Sequence, residues 1–167
     1  MNRSDRIRVE WARTATASLR AKSCSHTKEV IVPLRIFQTV PVLKVCDVLR
    51  SMLWYETALG FESDPFPDAP PHSFAILRHG ETEIMLQLEP GRVAIERKPY
   101  SWDVYLRLEG GQLRTLYEQF VSDGIVHRRL ERMFYGLSEF EITDPDGHVL
   151  CLAEKLRNDR DLPKPEE

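Results

Sequence analysis

The chain is poor in glycine and cysteine, and it contains no long hydrophobic run. With 8 Gly and 11 Pro in 167 residues, collagen-like and low-complexity classes are excluded. No stretch approaches the roughly 20 apolar residues of a membrane helix, and the scattered apolar residues of the first 28 positions predict no secretion signal. The three cysteines, Cys24, Cys46 and Cys151, are widely spaced. Their odd number argues against a disulfide scaffold and indicates a reducing cytoplasm.

The net charge of −3 conceals an uneven distribution. Residues 1–37 hold 8 Lys/Arg and 3 Asp/Glu, residues 38–156 hold 12 and 19, and residues 157–167 hold 3 and 4. We interpret the first segment as a basic, disordered leader and the last as a flexible tail. A nucleic-acid or membrane-surface arm and a transit peptide are the alternatives for the leader. The acidic body argues against a nucleic-acid-binding core and suits a cationic ligand, although acidity also favours solubility.

Residues 38–156 contain the same predicted order of helix and strands twice. Asp47 is a natural N-cap before residues 48–59, whose apolar side chains recur at helical spacing, and Gly60 is typical of a helix end. Alternating and β-branched runs predict strands on either side. In the first half the strands are predicted at 40–46, from 61, at 73–78 and at 83–88. In the second half a strand at 102–108 and a helix at 112–121 precede strands from 125, at 137–143 and at 149–153.

The spacing of the glycines that end the predicted helices and lie in the last turns supports a duplication. Gly60 and Gly124, which end the two predicted helices, lie 64 residues apart, and Gly80 and Gly147, in the last turns, lie 67 apart. Each half is too small for independent stability, so the halves are expected to pack together or across a dimer. The prediction is an α+β fold of two βαβββ modules.

Several segments carry a resemblance to a known family. The run TVPVLKVCDV at 39–48 with ALGF at 58–61 is similar to the opening of a vicinal-oxygen-chelate domain, of the glyoxalase/bleomycin-resistance/dioxygenase superfamily. YGLSEF at 135–140 and DPDGH at 144–148 resemble its end, closest to the bleomycin-resistance branch. The resemblance implies a domain at 38–156, with module one at 38–90 and module two at 99–156. It also implies curled mixed sheets around a concave cleft, and homodimers whose cavities both chains line.

The same resemblance implies where a metal would be held. Metal-dependent members use His or Glu at four positions, which correspond here to Val40, Met85, Asp103 and Cys151. A shift by one residue offers Glu83 and Trp102 and still no histidine. Divalent metals require several His or carboxylate donors, so we expect no metal cofactor. This departure from the family pattern counts against its metal-dependent isomerase, dioxygenase and thiol-transfer reactions.

The candidate ligand site is a cleft lined by aromatic and acidic residues. In the strand at 102–108, Asp103 and Tyr105 share the mixed face that is expected to meet the cleft, while Trp102 begins the strand and is free to turn either way. Tyr135, Phe140 and Phe74 border other predicted cleft strands. Such a cleft would hold a flat cation by stacking and cation–π contacts. An ordinary dimer interface, which is also rich in Tyr and Trp, is the alternative.

These observations predict a metal-independent protein that sequesters a partly aromatic, cationic small molecule, as in antibiotic resistance of the bleomycin type. No catalytic residue, cofactor, nucleic acid or membrane partner is expected. The alternative is a metal-dependent enzyme of the same superfamily, a glyoxalase, lyase or dioxygenase with an atypical ligand set, for which Asp103, Glu83 and His148 are the nearest donors. A structural or regulatory dimer with a filled cleft is the third reading.

Overall fold

The computed structural model describes residues 35–155, so the predicted tail and residues 1–34 of the predicted leader lie outside the described residues. The chain divides between Phe37 and Gln38, and the unit that begins at Gln38 contains both helices and all eight strands of the described part. Within residues 35–155, no helix combines the length and the apolar character needed to cross a membrane.

Each module contains one helix and four strands in the predicted order. Module one consists of β1 (Val42–Val45), α1 (Val48–Leu59), β2 (Glu62–Phe66), β3 (Phe74–His79) and β4 (Thr82–Leu88). Module two consists of β5 (Val104–Arg107), α2 (Leu113–Ser122), β6 (Val126–Arg132), β7 (Ser138–Thr143) and β8 (Val149–Glu154). The first sheet has the order β1-β4-β3-β2 and the second the order β5-β8-β7-β6. One parallel and two antiparallel pairings in each sheet confirm the predicted α+β fold of two mixed-sheet modules.

The two helices begin with different capping groups. The Asp47 carboxylate accepts a hydrogen bond of 3.0 Å from Arg50 N, as the sequence predicts, and α1 ends at Gly60 in the left-handed conformation. The start of α2 is capped from a distant strand. There the Glu154 carboxylate accepts the backbone N–H groups of Gly111 and Leu113 at 2.5 and 3.1 Å. A carboxylate at this end also complements the helix dipole.

The proline-rich segment after α1 begins within a strand. Pro65 lies in β2, where it pairs with Ala75 of β3. Proline is tolerated there because β2 is at the edge of its sheet, so the missing N–H faces no neighbouring strand. The loop itself begins one residue after Phe66.

One face of each sheet packs against the helix of its own module. Leu77 and Leu86 are fully buried in the core that also contains Tyr55 of α1. In module two, Phe140 of β7 packs against Phe120 of α2, with ring centroids 6.1 Å apart. The helices thus cover one side of each sheet, and the other side is left to form the concave faces.

The β7–β8 turn fastens module two to module one. Asp144 accepts the backbone N–H groups of Asp146 and His148, so it shapes the turn itself. Asp146 binds residues of module one. Its carboxylate is 2% exposed and accepts Cys46 N at 2.8 Å and Ser51 Oγ at 2.7 Å, while Arg50 Nη2 lies 3.0 Å away. The Tyr55 hydroxyl donates to Asp144 at 3.1 Å, and His148 Nε2 lies 2.8 Å from the carbonyl oxygen of Lys44.

Replacing the turn carboxylate should loosen this contact between the modules. Asp146→Ala should lower the free energy of unfolding by about 3 kcal/mol, because buried donors lose a charged acceptor. Chemical denaturation of the variant measures this loss. Asp68→Ala, at an exposed loop carboxylate, is the matched control and should change little. Equal stability of both variants would contradict the role assigned to Asp146.

The same carboxylate predicts a pH dependence. Burial raises the pKa of Asp146, but hydrogen bonds from Cys46 and Ser51 outweigh it and hold the pKa below its ordinary value. A depressed carboxylate pKa stabilises the fold above the unfolded pKa of about 3.9 and loses that contribution as the pH falls toward the folded value. The stability difference between the wild type and Asp146→Ala should therefore shrink below about pH 4.

Candidate functional site

The concave face of module two is built around two buried carboxylates. Glu139 and Glu141 alternate along β7 with Phe140 and are both 0% exposed. Because successive side chains of a strand point to opposite faces, the glutamates share the face that α2 does not cover. A buried carboxylate is stable only with charged or hydrogen-bonding partners. The partners of these two define the site.

Glu139 gathers two phenols and a thiol. Its Oε1 accepts the hydroxyl of Tyr135 at 2.6 Å and also the hydroxyl of Tyr105. Its Oε2 lies 3.7 Å from Cys151 Sγ. Burial and the Glu139 carboxylate raise the pKa of Tyr135 to about 12 and that of Tyr105 further above its ordinary value. Both phenols therefore stay protonated near neutral pH and donate to Glu139.

Glu141 holds a cation and the segment just before β5. Arg128 of β6 donates from Nε to Glu141 Oε1 at 2.7 Å. Trp102 Nε1 donates to the same oxygen at 2.7 Å, and the backbone N–H of Tyr100 donates at 3.1 Å. The Arg128 guanidinium lies over the Tyr100 ring at 4.5 Å from its centroid. We call this set, Arg128, Glu139 and Glu141 with Tyr100, Trp102, Tyr105 and Tyr135, the carboxylate cluster.

A groove lies beside the carboxylate cluster, between the start of β4 and the strand β5. It has a volume of about 400 Å³, and Glu81, Glu83, Asp103 and Tyr105 are among its lining residues. An adjoining groove of about 370 Å³ is lined largely by apolar residues and also contains Tyr105. Its apolar lining comes from both modules, namely Leu59, Phe61, Leu106 and Leu108. We call the two together the β4–β5 groove. It has an acidic end and an apolar end, which meet at Tyr105.

The structure brings together four of the six residues predicted for the cleft. Trp102, Tyr105 and Tyr135 belong to the carboxylate cluster, and Asp103 lines the β4–β5 groove. Asp103 accepts the backbone N–H of Val149 at 3.0 Å and forms an ion pair with Arg97 at 3.0 Å.

The other two predicted residues lie elsewhere. Phe140 points to the opposite side of β7, where it stacks edge-on against Tyr117 of α2, so it is a core residue and not part of the cluster. Phe74 lies on the concave face of module one, paired with Phe66. Strand parity explains the correction for Phe140, because its neighbours Glu139 and Glu141 take the concave positions.

The residues that sequence reasoning missed are the charged ones. Glu139, Glu141 and Arg128 hold the cluster together, and none was singled out. The alternation of Glu with Phe140 and Ile142 within a predicted strand was the available signal, since it places two carboxylates on one face. Arg128 gave no comparable signal, because β6 shifts register on either side of it.

The family's metal positions do not form a fitting donor set here. Val40 and Met85 offer no hard donor, and Cys151 is buried against Glu139. Asp103 is engaged by Val149 and Arg97. Among residues 35–155, no three His, Cys, Asp or Glu side chains converge in a metal-binding arrangement. A catalytic divalent metal held in the family's manner does not fit these residues.

Comparison with known proteins agrees with this architecture. The family model described as the glyoxalase/bleomycin resistance protein/dioxygenase superfamily matches residues 35–152. The chain belongs to this superfamily. No curated protein sequence matches it.

Solved structures of other proteins share its fold. A bleomycin resistance determinant encoded on the transposon Tn5 is 26% identical with a TM-score of 0.51, over 72% of this chain and 98% of that one. TioX from Micromonospora sp. ML1 is 18% identical with a TM-score of 0.55, over 72% and 99%. A glyoxalase/bleomycin resistance protein/dioxygenase from Alicyclobacillus acidocaldarius is 19% identical with a TM-score of 0.56, over 75% and 95%. At their identities, the last two show the fold alone.

The environment of Cys151 predicts an unreactive thiol. Burial, followed by the charge of Glu139, raises the pKa of Cys151 to about 12. The reactive thiolate is therefore scarce at pH 8. In the native protein Cys151 should resist a thiol-modifying reagent at this pH, and in denaturant it should react fully. Mass spectrometry of digested protein assigns the label. Native labelling of Cys151 as fast as in denaturant would show that the concave face is open to solvent.

Proposed function

We propose that the chain is a metal-independent binding protein that sequesters a partly aromatic, cationic small molecule in the β4–β5 groove. The observation that carries the proposal is the meeting of an acidic end and an apolar end at Tyr105. Most ligand sites are concave and largely apolar, with a few polar groups that set orientation. A molecule with a flat apolar part and a positive charge matches both ends.

The charges of the acidic end support a cationic ligand. Glu83 is met by Arg78 at 3.0 Å, and Asp103 by Arg97 at 3.0 Å. Glu81 lies exposed at the rim of the same groove. At the acidic end, three carboxylates against two guanidinium groups leave an excess of negative charge that favours cation binding, while Arg107 lines the apolar end. The Tyr105 ring, held in place by its bond to Glu139, offers a fixed surface for stacking.

The relation to the Tn5 bleomycin resistance determinant supports sequestration as the mode of action. That protein is 26% identical over nearly its whole length. Sequestration requires capture without a chemical step, and the donor set at the family's metal positions suits capture better than metal-dependent catalysis. A cytoplasmic location is part of the proposal, and Cys46 and Cys151, which form no disulfide, support it.

Ligand binding is tested by thermal shift and calorimetry with bleomycin and with planar aromatic cationic dyes. A ligand that binds only the folded state raises the melting temperature. Glu81→Gln and Asp103→Asn should each weaken binding about three- to tenfold, because each removes one charge from the acidic end. Glu118→Gln removes an exposed carboxylate from α2, away from the groove, and should leave the affinity unchanged.

Two results would contradict the proposal. If neither bleomycin nor any planar cation shifts the melting temperature, the groove is not a cation site, and a dimer with a filled cleft becomes the better interpretation. If purified protein carries stoichiometric Ni, Zn, Fe or Mn that dialysis against chelator removes together with an activity, the chain is a metal-dependent enzyme.

We also infer that the protein forms a homodimer through the concave face of module one. Val42 and Phe66 lie on this face and are 48% and 66% exposed. They share it with Phe74 and Met85, because residues paired across neighbouring strands project to the same side. An exposed apolar patch of this kind, here beside the ion-paired Asp64, Arg78 and Glu83 of the same face, typically marks an interface. Superfamily members often dimerise, which supports a second copy as the partner.

A charge on this face should disrupt the dimer. Phe66→Glu should raise the dimer dissociation constant by at least about tenfold, because it places an unpaired carboxylate in an apolar contact. Val121→Glu adds the same charge at an exposed position of α2, on the other side of its sheet, and should not alter the constant. Analytical ultracentrifugation over a concentration series measures both. A wild-type protein that stays monomeric throughout the series would rule out this interface.

A further inference from the structure

Arg128 enters the carboxylate cluster from an irregular part of β6. The pairing of β6 with β7 shifts register between Val126 and Arg128 and again between Arg128 and Glu131. Bulges of this kind redirect a side chain. Arg128 is 7% exposed, whereas its neighbour Arg129 has a 72% exposed side chain. The irregularity thus places a full positive charge inside the concave face.

The guanidinium of Arg128 satisfies the site only in part. Nε donates to Glu141 at 2.7 Å, and Nη1 lies 3.4 Å from Glu131. Nη2 is buried and makes no hydrogen bond, and it stops 3.6 Å from Glu139 Oε2. Two fully buried carboxylates therefore face one cation that reaches only one of them well. Two phenols satisfy Glu139 Oε1, whereas Oε2 has Cys151 Sγ at 3.7 Å and Arg128 Nη2 at 3.6 Å, so no N–H group of the described residues donates a hydrogen bond to Oε2.

Residues 99–103 cover the carboxylate cluster and are held mainly by contacts with the cluster itself. Residues 99–103 form neither helix nor strand. Tyr100 has φ of +67°, which is unfavourable for a bulky residue. Its N–H bonds to Glu141 and its ring stacks on Arg128. Trp102 is tied to Glu141 as well. A group that replaces Arg128 on the carboxylates would release the contact that holds Tyr100 in this conformation.

We propose that the carboxylate cluster is a guanidinium-binding site that Arg128 fills from within the chain. A small molecule with a guanidinium or amidinium group takes this site by displacing Arg128 and the cover at Tyr100–Trp102. Glu139 and Glu141 lie two residues apart on one strand face, about 7 Å along the strand. A planar fork of N–H donors spans such a pair and stacks on a tyrosine, whereas a compact ammonium ion does neither as well. The site lies behind Tyr105 and does not require the β4–β5 groove to bind any ligand.

The test compares N-methylguanidine and benzamidine with methylammonium at equal concentrations. Arg128→Ala vacates the site and removes a competitor of high effective concentration. This variant should bind the two planar cations at least about tenfold more tightly than the wild type does. The planar cations should restore much of its lost melting temperature, and methylammonium should restore little.

Arg129→Ala, on the same strand, should melt and bind like the wild type. Arg128→Ala/Glu141→Gln should lose the rescue, because one of the two carboxylate charges is gone.

A measurement on the wild type keeps the proposal testable if Arg128→Ala does not fold. The indole N–H of Trp102 donates to Glu141, so its NMR signal, assigned with Trp102→Phe, reports on the site. Benzamidine should move this signal and methylammonium should not. Equal rescue of a folded Arg128→Ala by all three cations would overturn the proposal. So would an unmoved Trp102 signal in the case where the variant is unfolded. Bleomycin binding in the β4–β5 groove is unaffected by either outcome, so the two proposals fail separately.

Discussion

The burial of two carboxylates on β7 organises the whole concave face of module two. A carboxylate removed from water needs charged and hydrogen-bonding partners, because otherwise its desolvation destabilises the fold by several kcal/mol. Glu139 and Glu141 meet this demand with groups from four different segments, namely the residues just before β5, β5 itself, β6 and the β6–β7 connection. The position of each of these segments therefore depends on the carboxylates. One wall of the β4–β5 groove is rigid, because Tyr105 is held by its hydrogen bond to Glu139.

A second use of carboxylates joins the two modules. Asp144 and Asp146 lie in the turn between β7 and β8, and their short side chains bond both the turn itself and module one. Because the turn belongs to the same strands that carry the cluster, its attachment fixes sheet two relative to α1. The β4–β5 groove forms between elements of both modules, so its shape depends on this contact. Acidic residues thus stabilise the structure at two places, a role that the composition alone did not indicate.

The two modules differ in the residues that occupy their concave faces. Ala75 pairs with Leu86 in module one as Phe140 pairs with Leu152 in module two, so Phe74 and Glu139 hold equivalent positions. The helix-facing positions remain apolar in both. The concave positions of module one hold apolar residues around Phe66 and Phe74 beside the ion-paired Asp64, Arg78 and Glu83, whereas those of module two are charged and filled. One face is thus suited to a partner surface, and the other already contains its own cation.

The sequence by itself determined the architecture. Strand alternation, the Asp47 cap, the helix-ending Gly60 and the repeat spacing identified both modules in the correct order, because these signals are local and report which side of an element is buried. The same parity put Tyr105 and Asp103 on the cleft side of their strand.

Only the tertiary structure decided the chemistry of the site. Arg128 points inward through a register shift, and Glu139 is buried by phenols from segments that lie apart in sequence. Those contacts depend on how strands pair, and no periodicity within one strand records them. The prediction for Phe140 was wrong for a related reason. An aromatic side chain fits either face of such a strand, and only the structure shows that the neighbouring glutamates occupy the concave face.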